Sequence, residues 1–143
     1  MKKNLVILFF LYPIILFSQN FTRQDTLRGS ITPERAWWDL TYYHLDIAVD
    51  PDNKFIKGSN IIQYTVLESN DEIQIDLQKP LKITKVTQDN KELTFRLDGY
   101  SHFIKLKKKQ RKGSVNSIKV FYEGNQKVAV RPPWDGGLTW TRD

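Results

Sequence analysis

The stretch YYHLDIAVDPDNKFIKGSNIIQYTV, residues 42–66, decides the fold of this chain. Apolar side chains in its first half alternate with polar ones, as a half-buried β-strand requires. One face carries Tyr43, Leu45, Ile47 and Val49, and the other carries His44, Asp46 and Asp50. A polar cluster at 50–53 breaks the run, and a second run then places Ile62, Tyr64 and Val66 on one face. The stretch therefore predicts two consecutive strands joined by a turn.

Five further alternating runs follow, separated by short turn signals. They lie at 73–77, 81–86, 93–97, 103–106 and 118–122. About seven short strands at this spacing predict an all-β fold, built as an antiparallel sandwich or a curved pair of sheets. Outside the first 18 residues, no window shows the periodicity of an amphipathic helix.

The first 18 residues have the pattern of a secretory signal peptide. Lys2 and Lys3 precede an apolar stretch of 13 residues at 5–17, and Ser18 offers a small residue for cleavage. That stretch is shorter than the roughly 20 apolar residues of a membrane-spanning helix, so no span is expected after cleavage. We therefore expect an exported protein, periplasmic or extracellular. An uncleaved anchor is the alternative.

The remaining residues divide into two parts. Residues 19–36 are polar, contain Gly29 and Pro33, and are predicted as a flexible lead-in. Residues 37–143 are predicted as one β domain, whose tail from Arg131 differs in character because Pro132-Pro133 interrupts strand pairing. Since the sequence stops at Asp143 without a closing strand, we expect an incomplete domain.

Charge and cysteine content exclude several classes of protein. Without residues 1–18, the chain has 20 basic against 16 acidic side chains. This mild excess does not indicate a nucleic-acid-binding protein. The absence of cysteine excludes disulfides, thiolate catalysis and cysteine zinc sites.

The sequence assigns no catalytic, cofactor-binding or metal-binding residue. Its two histidines, His44 and His102, lie far apart in alternating runs, and neither belongs to an HExxH motif. Each is expected to be an outward surface side chain. No serine lies in a G-x-S-x-G elbow, and Asp71 and Glu72 fall in a predicted turn.

The run KLKKKQRK, residues 105–112, carries six positive charges. It could form an electrostatic patch for an anionic polymer or a membrane surface. It lacks interleaved aromatic residues for base stacking, and a turn signal follows it at once. We therefore favour a solvated hairpin end, where lysines also discourage pairing between sheet edges.

Four tryptophans are the most ambiguous signal: Trp37, Trp38, Trp134 and Trp140. Exposed, they could form a platform for sugars or peptides. Buried, they would anchor the sheet or dock it onto a neighbour. Their positions beside chain breakers favour docking at a domain junction.

Four segments in order resemble the amino-terminal domain of the aminopeptidase N-like zinc metallopeptidases, the gluzincin aminopeptidases. DLTYYHLDIAVDPDNKFIKGS resembles the opening strand, acidic turn and Gly-marked second strand of that family. IQIDLQKPLKITKV resembles the pair of strands that follows, and SIKVFYEG resembles the strand ending in Tyr-x-Gly. PPWDGGLTW resembles a segment of some members. The resemblance covers residues 38–143.

The resemblance implies a saddle-like antiparallel β domain that packs against a thermolysin-like catalytic domain. In full-length relatives, that second domain carries HExxH, a downstream glutamate and a Gly-x-Met-Glu-Asn stretch. None of these motifs occurs here, so no zinc ligand or catalytic residue transfers to this chain. The implied cofactor and partners are zinc, the missing catalytic domain and a peptide substrate, all belonging to the full-length enzyme.

These observations predict a non-catalytic fragment of an exported zinc metallo-aminopeptidase. A self-contained secreted β-sandwich that binds ligands with exposed tryptophans is the first alternative. A family member that lost its enzyme domain and persists as a scaffold protein is the second. We expect no nucleic-acid partner.

Overall fold

The computed structural model describes residues 21–141, and the predicted signal peptide lies outside them. The described part forms two short helices and eight strands. The helices are α1 (Arg23–Gly29) and α2 (Pro33–Ala36); the strands are β1 (Trp38–Asp50), β2 (Phe55–Val66), β3 (Glu72–Asp76), β4 (Lys82–Gln88), β5 (Lys91–Glu92), β6 (Thr94–Asp98), β7 (Ser101–Lys105) and β8 (Val115–Asn125). The predicted all-β fold with antiparallel sheets is confirmed.

The larger sheet contains five strands in the order β1-β2-β8-β4-β5. A tight turn joins β1 to β2, where the Asp50 carboxylate accepts hydrogen bonds from the backbone and side chain of Asn53. The register shifts once in β1, between Leu40 and Tyr42, and the shift keeps Leu40 and Tyr43 on the same face. We call this apolar face of the larger sheet the inner face.

The smaller sheet, in the order β3-β7-β6, covers one end of the inner face. Tyr64 is fully buried there, and the rings of Trp37 and Trp38 meet it edge-on at centroid distances of 5.9 and 5.7 Å. Burial raises the pKa of the Tyr64 phenol to about 12. The core also contains Ile62, Val66, Ile73, Ile83, Val86, Leu93, Ile104, Leu106, Ile118 and Val120. The two sheets therefore share a single hydrophobic core.

Gly58 brings together two of the segments that carry the family resemblance. It is the glycine near the end of DLTYYHLDIAVDPDNKFIKGS, and it lies against the tyrosine of SIKVFYEG. It lies opposite Ile47 of β1 and Tyr122 of β8. A Cβ atom at this position would lie 2.3 Å from the Asp46 carbonyl oxygen and 3.2 Å from the Tyr122 hydroxyl. Only glycine leaves room for this close approach of the strands.

The lead-in differs from its prediction. No helix is predicted after the first 18 residues, but residues 23–29 and 33–36 are helical. Thr22 and Asp25 form a capping box that starts α1, and Leu27 is buried. Arg23 and Gln24 also donate hydrogen bonds to Asp98 of β6 at 2.9 and 2.7 Å. These contacts attach the lead-in to the outer face of the smaller sheet.

A buried polar network completes this attachment. The Gln74 amide donates hydrogen bonds to the Leu27 carbonyl oxygen at 3.0 Å and to the Ser101 hydroxyl at 3.1 Å. Its carbonyl oxygen accepts one from the Thr32 hydroxyl at 2.6 Å. Because buried polar groups are costly when unpaired, this network fixes where the lead-in lies.

The basic run forms the connection between β7 and β8. Leu106 and Gln110 are buried, and their backbone amides donate hydrogen bonds to the 70–71 backbone. Lys105 pairs with Asp71 at 2.7 Å, and Lys112 pairs with Glu68 at 2.5 Å. Three lysines, 107–109, stay exposed at the tip. The tip is solvated as predicted, but the prediction of a hairpin end is wrong, because β7 and β8 belong to different sheets and the run crosses from one sheet to the other.

Candidate functional site

A groove of about 690 Å³ opens where the smaller sheet stops covering the inner face. Its lining is mainly aliphatic and includes Leu45, Ile47, Ile56, Leu77, Leu81 and Ile83. The β1 side of the groove is the most open, because the inner-face side chains of β1 are between 42 and 57% exposed. Those side chains are Leu40, Tyr43, Leu45, Ile47 and Val49. The alternation predicted from sequence selects the correct face, but the expected burial of β1 is absent among the described residues.

Two polar groups interrupt the apolar floor of the groove. Asn60 of β2 lines it, and its side-chain oxygen is buried without a hydrogen-bond partner among the described residues. Tyr122 of β8 also lines it, and burial, followed by the charge of Asp46, raises the pKa of its phenol. An oxygen acceptor and a phenol within apolar walls suit an apolar group that carries a hydrogen-bond donor.

One ion pair stands at the rim of the groove. The Arg35 guanidinium of α2 donates a hydrogen bond to the Asp76 carboxylate, which also accepts one from the Ser101 hydroxyl at 2.9 Å. The residues that line the groove include no histidine, serine or lysine. The groove therefore has the chemistry of a binding or packing surface, since it offers no paired nucleophile and base.

The two histidines occupy different environments. His44 is exposed on the outer face of β1, as predicted. His102 is buried, so the prediction of an outward side chain is wrong for it. It lies in β7, the middle strand of the smaller sheet, with its ring 6.0 Å from that of Phe95. Burial lowers its pKa, and the nearby Asp76 charge opposes this shift.

Three of the four tryptophans separate into two groups, and the fourth, Trp140, is partly buried. The indole N–H of Trp37 donates a hydrogen bond to the Glu72 carbonyl oxygen at 2.7 Å, and that of Trp38 donates to the Glu34 carbonyl oxygen at 2.9 Å. Both rings pack on Tyr64 and so anchor the sheet from within. Trp134, by contrast, is 87% exposed.

A closed loop presents Trp134. The Asp135 carboxylate accepts hydrogen bonds from the backbone amides of Val130 and Arg131, at 2.8 and 3.1 Å. These bonds lower the pKa of the Asp135 carboxyl. Leu138 exchanges backbone hydrogen bonds with Ala129 and Lys127 and closes the loop. Gly137 permits this closure, because a Cβ there would lie 2.4 Å from the Lys127 carbonyl oxygen.

Sequence reasoning missed the polar groups of the groove. A usable signal was available, because Asn60 interrupts an otherwise apolar inner row between Ile56 and Ile62. Two serines, Ser59 and Ser101, lie buried within strands. Ser101 donates its hydroxyl hydrogen bond to the Asp76 carboxylate, which is itself paired with the Arg35 guanidinium.

No metal site is found in the described part of the chain. Among residues 21–141, no group of three His, Cys, Asp or Glu side chains could hold a metal ion. The zinc that the resemblance implies for a full-length enzyme therefore does not fit these residues. Within the same range, no helix is both long and apolar enough to cross a membrane.

Comparison with known proteins supports a likeness in fold. No family model matches the chain, and no curated protein matches its sequence. The M1 zinc metallopeptidase from Deinococcus radiodurans matches with a TM-score of 0.58 and 16% identity, over 70% of this chain and 24% of that chain. A mutant of it bound to a Tyr-Ser-Ala substrate matches with a TM-score of 0.58 and 15% identity, over 69% and 23% of the two chains.

A third match is a two-domain M1 zinc metallopeptidase mutant bound to L-arginine. Its TM-score is 0.57 at 16% identity, and the match covers 69% of this chain and 23% of that one. The chain thus spans about a quarter of the length of these structures. The predicted resemblance to the aminopeptidase N-like metallopeptidases is confirmed at the level of fold.

Proposed function

We propose that this chain is the amino-terminal β domain of an exported zinc metallo-aminopeptidase and that its own role is non-catalytic. The observation that carries the proposal is the fold likeness to M1 zinc metallopeptidases over about a quarter of their length. The parent enzyme would hydrolyse amino-terminal residues from peptides. Its zinc and catalytic groups would belong to another domain, so no step of the reaction is assigned to this chain.

The domain would form one wall beside the catalytic site and limit access to short peptides or free chain termini. The groove and the exposed apolar row of β1 support this role, since monomeric proteins rarely leave contiguous apolar surface of this kind uncovered.

The test is the genomic sequence beyond the codon for Asp143. The proposal expects an open reading frame that carries HExxH within a few hundred codons. A stop codon directly after Asp143 would contradict it and would favour a self-contained domain or a scaffold protein.

A secreted binding module remains the competing function, and exposed Trp134 is the observation in its favour. The anchoring of Trp37 and Trp38 on Tyr64 leaves no platform of four rings. Binding of a glycan to the chain that is lost in Trp134→Ala, with folding retained, would favour this module over the peptidase domain.

Export is part of the proposal. The mature protein is expected to begin at Gln19 and to be recovered outside the cytoplasm, in the periplasm or the medium. Amino-terminal sequencing of the protein from its native host checks both expectations. A mature chain that retains Met1 and stays in the cytoplasm would contradict them.

A further inference from the structure

The free edge of β1 differs from the other sheet edges of the described chain. Edge strands are usually protected against further pairing by short length, by Lys or Pro, or by a covering element. β5 has two residues, Lys91–Glu92, and β6 has five and carries Arg96. β3 has five residues, and α2 lies beside it through the pair of Arg35 with Asp76. Each of these edges is thus short, charged or covered.

β1 is neither short, nor covered, nor supplied with Lys or Pro, and its one device of this kind among the described residues is the register shift between Leu40 and Tyr42. It is 13 residues long, and its sequence WDLTYYHLDIAVD contains no Lys, Arg or Pro. Among the described residues its only neighbouring strand is β2. Its inner row is apolar from Leu40 to Val49, so no inward charge discourages a further strand. The strand therefore has the features of one that is paired on both sides.

Two acidic side chains on the outer face of β1 indicate the charge that a further strand on this edge would carry. Asp39 and Asp46 are exposed there in a chain that has 22 basic against 16 acidic residues. Their partners on β2, Thr65 and Ser59, are six residues apart. A regular strand on the free edge would therefore meet the two carboxylates with residues that are also six positions apart.

We propose that β1 pairs along its free edge with an added β-strand from the remainder of the same polypeptide. The inward side chains of this strand are apolar and extend the wall of the groove. Its outward side chains include two cations, six residues apart, that face Asp39 and Asp46. The source of the strand rests on the proposed function, because only a longer parent protein supplies it. A second copy of this chain fits less well, since it would bring two more aspartates to the edge.

A synthetic peptide tests whether the free edge of β1 binds a further strand. The probe is the fluorescein-labelled peptide Lys-Val-Thr-Ile-Thr-Val-Lys, blocked at its carboxyl end, and fluorescence anisotropy measures its binding to the 143-residue chain. The same peptide with Glu in place of both Lys residues is the matched control. We expect the basic peptide to bind about tenfold more tightly at low salt, as two surface ion pairs would allow.

Two variants locate the binding. Leu45→Lys puts a charge on the inner row of β1, and Leu97→Lys makes the same change on β6. The side chains are 57 and 55% exposed, so neither change disturbs the core. Leu45→Lys is expected to weaken binding about tenfold or more, and Leu97→Lys less than twofold, since only the first blocks this edge. Failure of the basic peptide to bind, or equal weakening by both variants, overturns the inference.

A thiol-protection experiment tests the source of the strand. Because the chain has no cysteine, Leu45→Cys supplies a single reactive thiol, and Lys108→Cys in the basic loop is the control. Maleimide labelling at position 45 is expected to be at least about tenfold slower in the product of the longer reading frame than in the 143-residue chain, as for a thiol covered by structure. Labelling at position 108 should be unchanged.

The outcomes separate the two proposals. A longer product that carries HExxH but labels equally fast at position 45 overturns the added strand and leaves the proposed function standing. A reading frame that closes directly after Asp143 overturns both. Slow labelling at position 45 together with selective peptide binding supports both.

Discussion

At the scale of single residues, His102 links the packing of the smaller sheet to pH. Its imidazole is buried in the folded chain and hydrated in the unfolded one, and burial lowers the folded pKa below 6.5. The unfolded state therefore binds the proton first as the pH falls. It follows that the His102 contribution to stability is complete well above pH 6.5 and decreases below it.

We expect the free energy of unfolding to decrease between about pH 7.5 and pH 5.5, by at most about 1.4 kcal/mol per pH unit for one proton. Urea denaturation at several pH values measures this slope. His102→Gln should flatten it, and His44→Gln, at an exposed position, should retain it. The pKa values of the carboxyls of Asp25 and Asp98 are lowered below 3.8, so these groups do not titrate in this window. An unchanged slope in His102→Gln would contradict the assignment.

Gly58 offers a second test at this scale. In Gly58→Ala, the new methyl group would collide with the Asp46 carbonyl oxygen, which lies 2.3 Å from the Cβ position. We expect a loss of about 1–3 kcal/mol in stability, as for other overpacked sites, measured by urea denaturation. Gly29→Ala is the control, because nothing lies within 4 Å of its Cβ position. That change should stabilise the chain by up to about 1 kcal/mol, since alanine favours a helix over glycine.

At the scale of elements, the attachment of the lead-in depends on a tryptophan as well as on hydrogen bonds. Trp37 lies directly between α2 and β1 and is almost completely buried beside Tyr64. Trp37→Ala should cost about 3–5 kcal/mol, because it leaves a large cavity. Trp134→Ala, at an exposed loop position, should change stability by less than about 0.5 kcal/mol. Thermal melting of the two variants measures these changes. Similar losses of stability in Trp37→Ala and Trp134→Ala would contradict the packing described.

The strands could be predicted because alternation and turn residues are local signals. The six runs after the first strand each correspond to an observed strand, with differences of a few residues at the ends. The helix α1 could not be predicted from periodicity, because seven residues are too few to show it. Its only local signal is the pair of Thr22 with Asp25, which has the spacing of a capping box.

The burial of individual side chains was predicted less well, because it depends on what packs against each face. His102 is buried because β7 has a strand on both sides and the larger sheet opposite. Leu45 and Ile47 stay exposed because the smaller sheet ends before it reaches them. Alternation identifies two faces of a strand, but it carries no information on which face another element will cover.

At the scale of the whole molecule, the candidate site in residues 21–141 consists of the groove and the free edge of β1. The sequence contains no cysteine and only two histidines, so it offers few of the side chains that catalysis most often uses. It could not locate the groove, because residues from β1, β2, β4 and β8 meet there only after the sheet has formed.

The 143-residue chain is therefore expected to show no chelator-sensitive hydrolysis of an amino-acid anilide. The reason is that residues 21–141 provide no group that could hold a metal ion. The release of aniline with and without EDTA measures this, and the product of the longer reading frame is the positive control. Cleavage by the pure 143-residue chain that EDTA abolishes would contradict the expectation.

The strand order of the larger sheet also affects how the chain is made. β8 is its middle strand, yet it is the last of the eight to leave the ribosome. Until residue 125 has been synthesised, the hairpin of β1 and β2 has nothing to join it to β4. Folding of the larger sheet must therefore wait until β8 has been synthesised. Such long-range pairing is slow, and a nascent chain arrested before residue 115 should remain accessible to proteases throughout.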